Sequence, residues 1–319
     1  MLMPQNWTRR GFLSVTGSAT LCATTLGVSG WICPAAQPGN RIAGSRLKTS
    51  LNAYSFNQAL TSSEDSKRLS LFELLEFCAR HNFDAIDPTG YYFPNYPNPP
   101  TDAYIYEFKS RAFRLGLDIS GTGVRNNFAS PDKASRAADV ELVKKWIEVA
   151  AKLGAPVIRV FAGAVPAGYE QKWEEVAAWM VESLGTCADF GRKHGVIVGI
   201  QNHGDMLKTA EQALRIVREV DSDWFGVIVD TGCFNHGNPY QEIAAVLPYA
   251  VNFQVKESPH GRESTERIDL KRLVSLLRAA NYRGYLPIET LPFKGRVYDP
   301  HVVVPQFLEE LRAAMKASE

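Results

Sequence analysis

From Leu51 to the C-terminus, short apolar runs alternate with longer amphipathic stretches without a break. The pattern predicts strands over Leu51–Ser55, Asp84–Pro88, Asp118–Gly121, Val157–Phe161, Val196–Gln201, Gly226–Asp230, Val251–Lys256 and Tyr285–Glu289. Helical periodicity follows each of them, over Leu71–His81, Asp102–Leu115, Pro131–Leu153, Gln171–His194, Lys208–Val220, Tyr240–Leu247, Leu270–Ala280 and Val303–Lys316. Parallel strands need a crossover, usually a helix, so this regular alternation predicts one α/β domain with a parallel sheet. Eight strand–helix units suit a single (β/α)8 barrel. Ser130-Pro131-Asp132 reads as a helix start with Pro in the first turn, and Gly116, Gly154, Gly195 and Gly284 read as helix stops. A doubly wound open sheet is the alternative. It usually carries a Gly-rich phosphate turn after its first strand, and the segment from Leu51 to Phe56 has none.

The first 36 residues read differently. Thr8-Arg9-Arg10-Gly11-Phe12-Leu13 is a twin-arginine motif, and a weakly apolar stretch rich in Gly, Ser and Thr follows it. Pro34-Ala35-Ala36 offers a small-residue cleavage site. The expectation is a signal peptide over 1–36, a polar linker over 37–48 and a barrel over 49–319, exported to the periplasm. A retained anchor is the other reading, but Ser, Thr and Gly make a poor spanning helix, so no integral span is expected after signal removal. A formal charge of +1 gives no reason to expect nucleic acid as a partner. Outside the signal region lie Cys78, Cys187 and Cys233, an odd number without short spacing, which argues against a disulfide framework. Cys78 and Cys187 fit helix packing, whereas Cys233 falls just past a strand tip.

Chemistry in such a barrel sits at the C-terminal strand ends. Four successive strands of the second half finish in polar side chains: Gln201, Asp230, Gln254 with Lys256, and Glu289. Asp230 and Glu289 each end an apolar run, where a carboxylate needs a partner or a cation. Asp230 could instead cap the helix that follows. Gln201 and Gln254 could offer a carbonyl oxygen to a metal, or bond neighbouring strand ends. His203 suits an acid or base, because imidazole titrates near neutrality. Lys256 could stabilise an oxyanion or pair with an acid such as Glu257. Asp87 and Arg159 end earlier strands and either bind substrate or pair with opposite charges. His260 and Arg262 lie on the loop after the seventh strand, where they could close over a substrate. The segment from Gly90 to Pro100, aromatic and Pro-rich, is either a stiff wall for a sugar ring or a packed surface loop.

The order of tips, with Asp230-Thr-Gly, Phe-Gln254-Val-Lys256-Glu and Ile-Glu289-Thr, resembles the sugar phosphate isomerase/epimerase family, the xylose isomerase-like barrels. The resemblance covers Leu51 to the C-terminus. It implies a divalent metal, Mn²⁺ or Mg²⁺, held by Glu, Asp, His and Glu, which fall here on Gln201, Asp230, Gln254 and Glu289. Two of the four are amides, so the resemblance implies a weakly held ion. It also implies two metal-bound Glu residues on opposite faces of the substrate, of which only Glu289 remains, with His203 to replace the missing base. The expected activity is isomerase- or epimerase-like proton abstraction from an unphosphorylated carbohydrate, with Glu289, His203 and Lys256 catalytic. Lyase or hydratase action on 3-keto-glycosides is an alternative, as is a non-catalytic carbohydrate-binding barrel. Relatives of this family are often dimers, so a homodimer is an expectation.

Overall fold

The structure is a computed structural model that describes residues 42–318, apart from 235–236, 262–263 and 294. The expected signal over 1–36 and the candidate Arg262 lie outside the described residues. The strands are β1 (Arg46–Asn52), β2 (Ala85–Asp87), β3 (Asp118–Ile119), β4 (Thr122–Gly123), β5 (Val157–Phe161), β6 (Ile197–Gln201), β7 (Phe225–Asp230), β8 (Ala250–Lys256) and β9 (Arg283–Glu289). They form one sheet in the order β3-β2-β1-β9-β8-β7-β6-β5-β4, and every pairing is parallel. The two ends of that order, β3 and β4, are consecutive in the chain. They share one barrel position, so the sheet curls into a near-closed barrel.

The expected third strand is thus interrupted, and barrel packing explains why. Asn252, inside β8, donates from Nδ2 to the Ser120 carbonyl at 3.1 Å, drawing that carbonyl out of the strand ladder. The next residue must be small. A Cβ on Gly121 would lie 3.0 Å from Asn252 Nδ2 and 3.1 Å from Asp87 Oδ2.

The outer layer comprises α1 (Asn57–Leu60), α2 (Leu71–Arg80), α3 (Asp102–Arg114), α4 (Lys133–Leu153), α5 (Trp173–His194), α6 (Ala210–Val220), α7 (Pro239–Val246), α8 (Leu270–Ala279) and α9 (Pro300–Ala317). Ser70 with Glu73 and Thr209 with Gln212 form capping boxes that start α2 and α6. Gly154 and Gly195 end α4 and α5 in the left-handed region. Three local expectations are corrected. Asp132, which accepts from the amides of Ala134 and Ser135, caps α4, so Pro131 precedes the helix. Gly284 sits inside β9, and α8 stops at Ala280. β1 runs from Arg46 to Asn52, and Ala53–Phe56 winds into a short 3₁₀ turn because the Asn52 side chain accepts from the Tyr54 amide.

The segment from Gly90 to Pro100 is packed against the barrel and also reaches the cleft. Phe93 and Tyr96 pack on the buried Trp146, whose Nε1 donates to the Pro97 carbonyl at 2.9 Å. Tyr91 faces the cleft described below. Among the described residues, no helix is long and apolar enough to cross a membrane.

Candidate active site

Strand register brings the polar tips together. Asp230 pairs with Gln254, and Lys256 pairs with Glu289. Residues two apart on a strand share a face, so Gln254 and Lys256 point the same way. The Lys256 ammonium bonds Glu289 Oε1 and lies 3.6 Å from Asp230 Oδ2. On its other side, Asp230 Oδ2 accepts from Gln201 Nε2 at 2.6 Å. Asp230 Oδ1 accepts from the Gly232 amide at 2.9 Å, so one oxygen of this carboxylate shapes the following turn while the other faces the site. Asn202 clamps the Asp230 backbone from both sides, accepting from its N–H at 2.8 Å and donating to its carbonyl at 2.9 Å.

These groups are almost dry. Asp230 is 0% exposed, Glu289 7% and Lys256 9%. Burial disfavours the Lys256 charge, but Asp230 and Glu289 outweigh it and hold the ammonium pKa above its ordinary value. Burial, reinforced by Asp230, pushes the Cys233 thiol well up, so it is a neutral wall residue. Above them opens a cleft of about 640 Å³, lined in part by Tyr54, Tyr91, Phe161, Gln201, Lys256 and Glu289.

The other candidates lie around this centre. His203 is exposed on the cleft wall and meets the Phe161 ring edge-on at 4.8 Å. His260 lies on the opposite loop, with Nε2 3.3 Å from Glu266. Arg159 reaches the cleft from β5. Asp87 is buried beneath it, 3% exposed, and is not part of its wall. Glu257, one alternative partner for Lys256, pairs instead with Arg267 and Arg296. Tyr54, Arg125 and Arg267 also line the cleft and were not among the expected residues. Tyr54 and Arg125 follow strand ends, which was the available signal.

The divalent ion implied by the sequence resemblance needs oxygen or imidazole donors turned to one point. The tips do not supply them. An ionised carboxylate only accepts hydrogen bonds, so Gln201 must turn its NH₂ end toward Asp230. Lys256 places a fixed positive charge on both carboxylates. Among the described residues, no group of three or more His, Cys, Asp and Glu could hold a metal. This donor set does not fit a divalent cation. A ligand that binds the folded state stabilises it by mass action, so EDTA or millimolar Mn²⁺ is expected to move the wild-type melting temperature by less than about 1 °C.

Asp87 has a separate consequence. Burial pushes its carboxyl up to about 7, with Arg159 pulling it down and Glu289 adding to the rise. A folded-state pKa above the unfolded one means the folded chain binds the extra proton. Stability should therefore fall as pH climbs from about 4 to about 7. Asp87→Asn should remove this penalty, gaining roughly 2–4 kcal/mol at pH 8 relative to its effect at pH 4. Urea midpoints at the two pH values measure it.

Residues 75–312 match the family model described as xylose isomerase-like TIM barrel. The chain belongs to this family. An uncharacterised protein of Methanocaldococcus jannaschii, MJ1311, is 24% identical over 255 residues, 75% of this chain and 85% of that protein. Among solved structures, a D-psicose 3-epimerase crystallised in the presence of D-fructose superposes with a TM-score of 0.69 at 20% identity, covering 85% of this chain and 98% of its own. A 3-keto-D-glucoside 4-epimerase from E. coli reaches 0.66 at 18% identity, covering 84% and 99%. An L-ribulose 3-epimerase reaches 0.69 at 19%, covering 85% and 95%. At these identities the likeness establishes the fold.

Proposed function

We propose that this family member is an epimerase- or isomerase-like enzyme that removes a proton α to a carbonyl of an unphosphorylated carbohydrate. The carrying observation is the Lys256 ammonium lodged between Asp230 and Glu289 at the base of the cleft. An α-proton is acidic enough to move only if the oxygen charge that develops is stabilised in place. In this reading the substrate carbonyl oxygen accepts from Lys256, and Glu289 takes the proton from the adjacent carbon. The C–H electron pair becomes the C=C bond of an enediolate, with its negative oxygen on Lys256. Asp230, hydrogen-bonded by Gln201 and paired with Lys256, holds the ammonium in place. The Gln254 side chain is buried with neither amide atom hydrogen-bonded, and it lies outside the cleft wall, so it takes no part in this step. His203, on the cleft wall, is the candidate to return the proton. The sugar epimerases among the structural neighbours support the substrate class, and the absence of a Gly-rich phosphate turn after the first strand supports an unphosphorylated one.

A second reading, lyase action on a keto-glycoside, is favoured by one feature. Gln201 occupies the tip opposite Glu289 and cannot carry a proton. With one carboxylate base, the enediolate can instead expel a β-substituent, breaking a C–O bond as the leaving oxygen takes a proton from His203 or water. Incubation with free ketoses and 3-keto-glycosides in D₂O, followed by NMR, tests both. Deuterium at an α-carbon supports the shared first step. An epimer as product identifies the first reading and an unsaturated ketone the second, while no exchange with either class rejects both. The twin-arginine motif supports export as part of the same proposal, and a homodimer remains to be tested by sedimentation.

A further inference from the structure

The charged groups of the cleft are mostly matched. Lys256 serves Asp230 and Glu289, Arg267 and Arg296 serve Glu257, and His260 meets Glu266. Arg159 is not matched. It is 4% exposed, and its Nη1 is buried without a hydrogen-bond partner. No ion pair is formed by it among the described residues. The Asp87 carboxyl acts on it through space from beyond ion-pair distance. A buried guanidinium without an acceptor is costly, and native structures rarely keep one without use.

The fold also makes room for it. A Cβ on Gly123 would lie 2.7 Å from Arg159 Nε and 2.8 Å from Nη2, so a larger residue there would push the fork from its present position. The Phe161 ring supports the guanidinium from one side at 4.0 Å. Arg125, on the same cleft, stacks over Tyr91 at 4.3 Å and likewise forms no ion pair among the described residues.

We infer that Arg159, with Arg125 beside it, forms a subsite for a carboxylate carried by the carbohydrate, making the substrate a sugar acid. A planar guanidinium fork matches a carboxylate with two parallel bonds. The aromatic faces hold both cations without consuming their donors. Arg159 is thereby a specificity residue, and this inference rests on the carbohydrate reading of the same cleft.

Calorimetric titration of the full chain with D-glucuronate, D-glucose and D-glucose 6-phosphate tests it. A charge-assisted bond to a buried guanidinium should make the uronate bind about 10–100-fold tighter than the hexose. Arg159→Met should cut that ratio to within about threefold, with Arg159→Lys intermediate, because Lys keeps the charge but not the fork. Circular dichroism and melting check that the variants fold, and the wild-type series stands without them. Equal binding of uronate and hexose would overturn the subsite while leaving the carbohydrate reading intact. Tighter binding of the phosphate than of the uronate would overturn the carboxylate assignment. Binding of none of the three would overturn the inference, and D₂O exchange with keto-sugars would then report separately on the carbohydrate reading.

Discussion

Lys256→Met is expected to lose about 3–5 kcal/mol of folding stability, because it strands two buried carboxylates without their cation. Asp230 at 0% exposure and Glu289 at 7% have little water to turn to. For a chain of this size that loss means a melting temperature lower by on the order of 10 °C. Methionine keeps most of the side-chain volume, so the effect reads charge rather than a cavity. A second substitution supplies the control. Lys256→Met with Glu289→Gln should recover part of the loss, since Asp230 retains its bonds from Gln201 and the Gly232 amide. A Lys256→Met protein that melts with the wild type would show that the ammonium does not neutralise these acids.

Glu289→Gln is expected to slow α-proton exchange by about 10²–10⁴-fold, the usual worth of a positioned base. Its effect on stability should be small by comparison, because Lys256 keeps Asp230 at 3.6 Å and glutamine can still accept from the ammonium. The split between a large kinetic and a small thermal effect distinguishes a base from a structural carboxylate. Exchange rates by NMR and melting by circular dichroism give the two numbers. Exchange that survives within about threefold would move the base elsewhere, with His203 the next candidate on the cleft wall.

Much of this was legible in the sequence for a simple reason. A strand buried on both faces cannot end in Asp230 or Glu289 by accident of packing, and the period-2 rule puts Gln254 and Lys256 on one face. What could not be read was who satisfies whom. A tip such as Lys256 has several acids within sequence reach, and register chose Glu289, 33 residues away in the chain on the far side of α8, over the adjacent Glu257. The interrupted third strand was hidden too, because its cause is Asn252, 132 residues distant in the chain. Asp87 looked like the other tips but lies below the cleft. Tyr54 escaped notice because it falls inside the predicted strand Leu51–Ser55, which the structure ends at Asn52, and Arg125 because loop residues carry no periodicity to mark which of them turn inward.

The central claim is that Glu289 and Lys256 together move a proton α to a sugar carbonyl. The most direct measurement is deuterium incorporation by wild type and Glu289→Gln, side by side, into a panel of keto-sugars in D₂O with EDTA present. Label is expected at one α-carbon with the wild type and is expected to be lost in the variant. Equal labelling by both proteins, or labelling by the wild type only after a divalent metal is supplied, would contradict it.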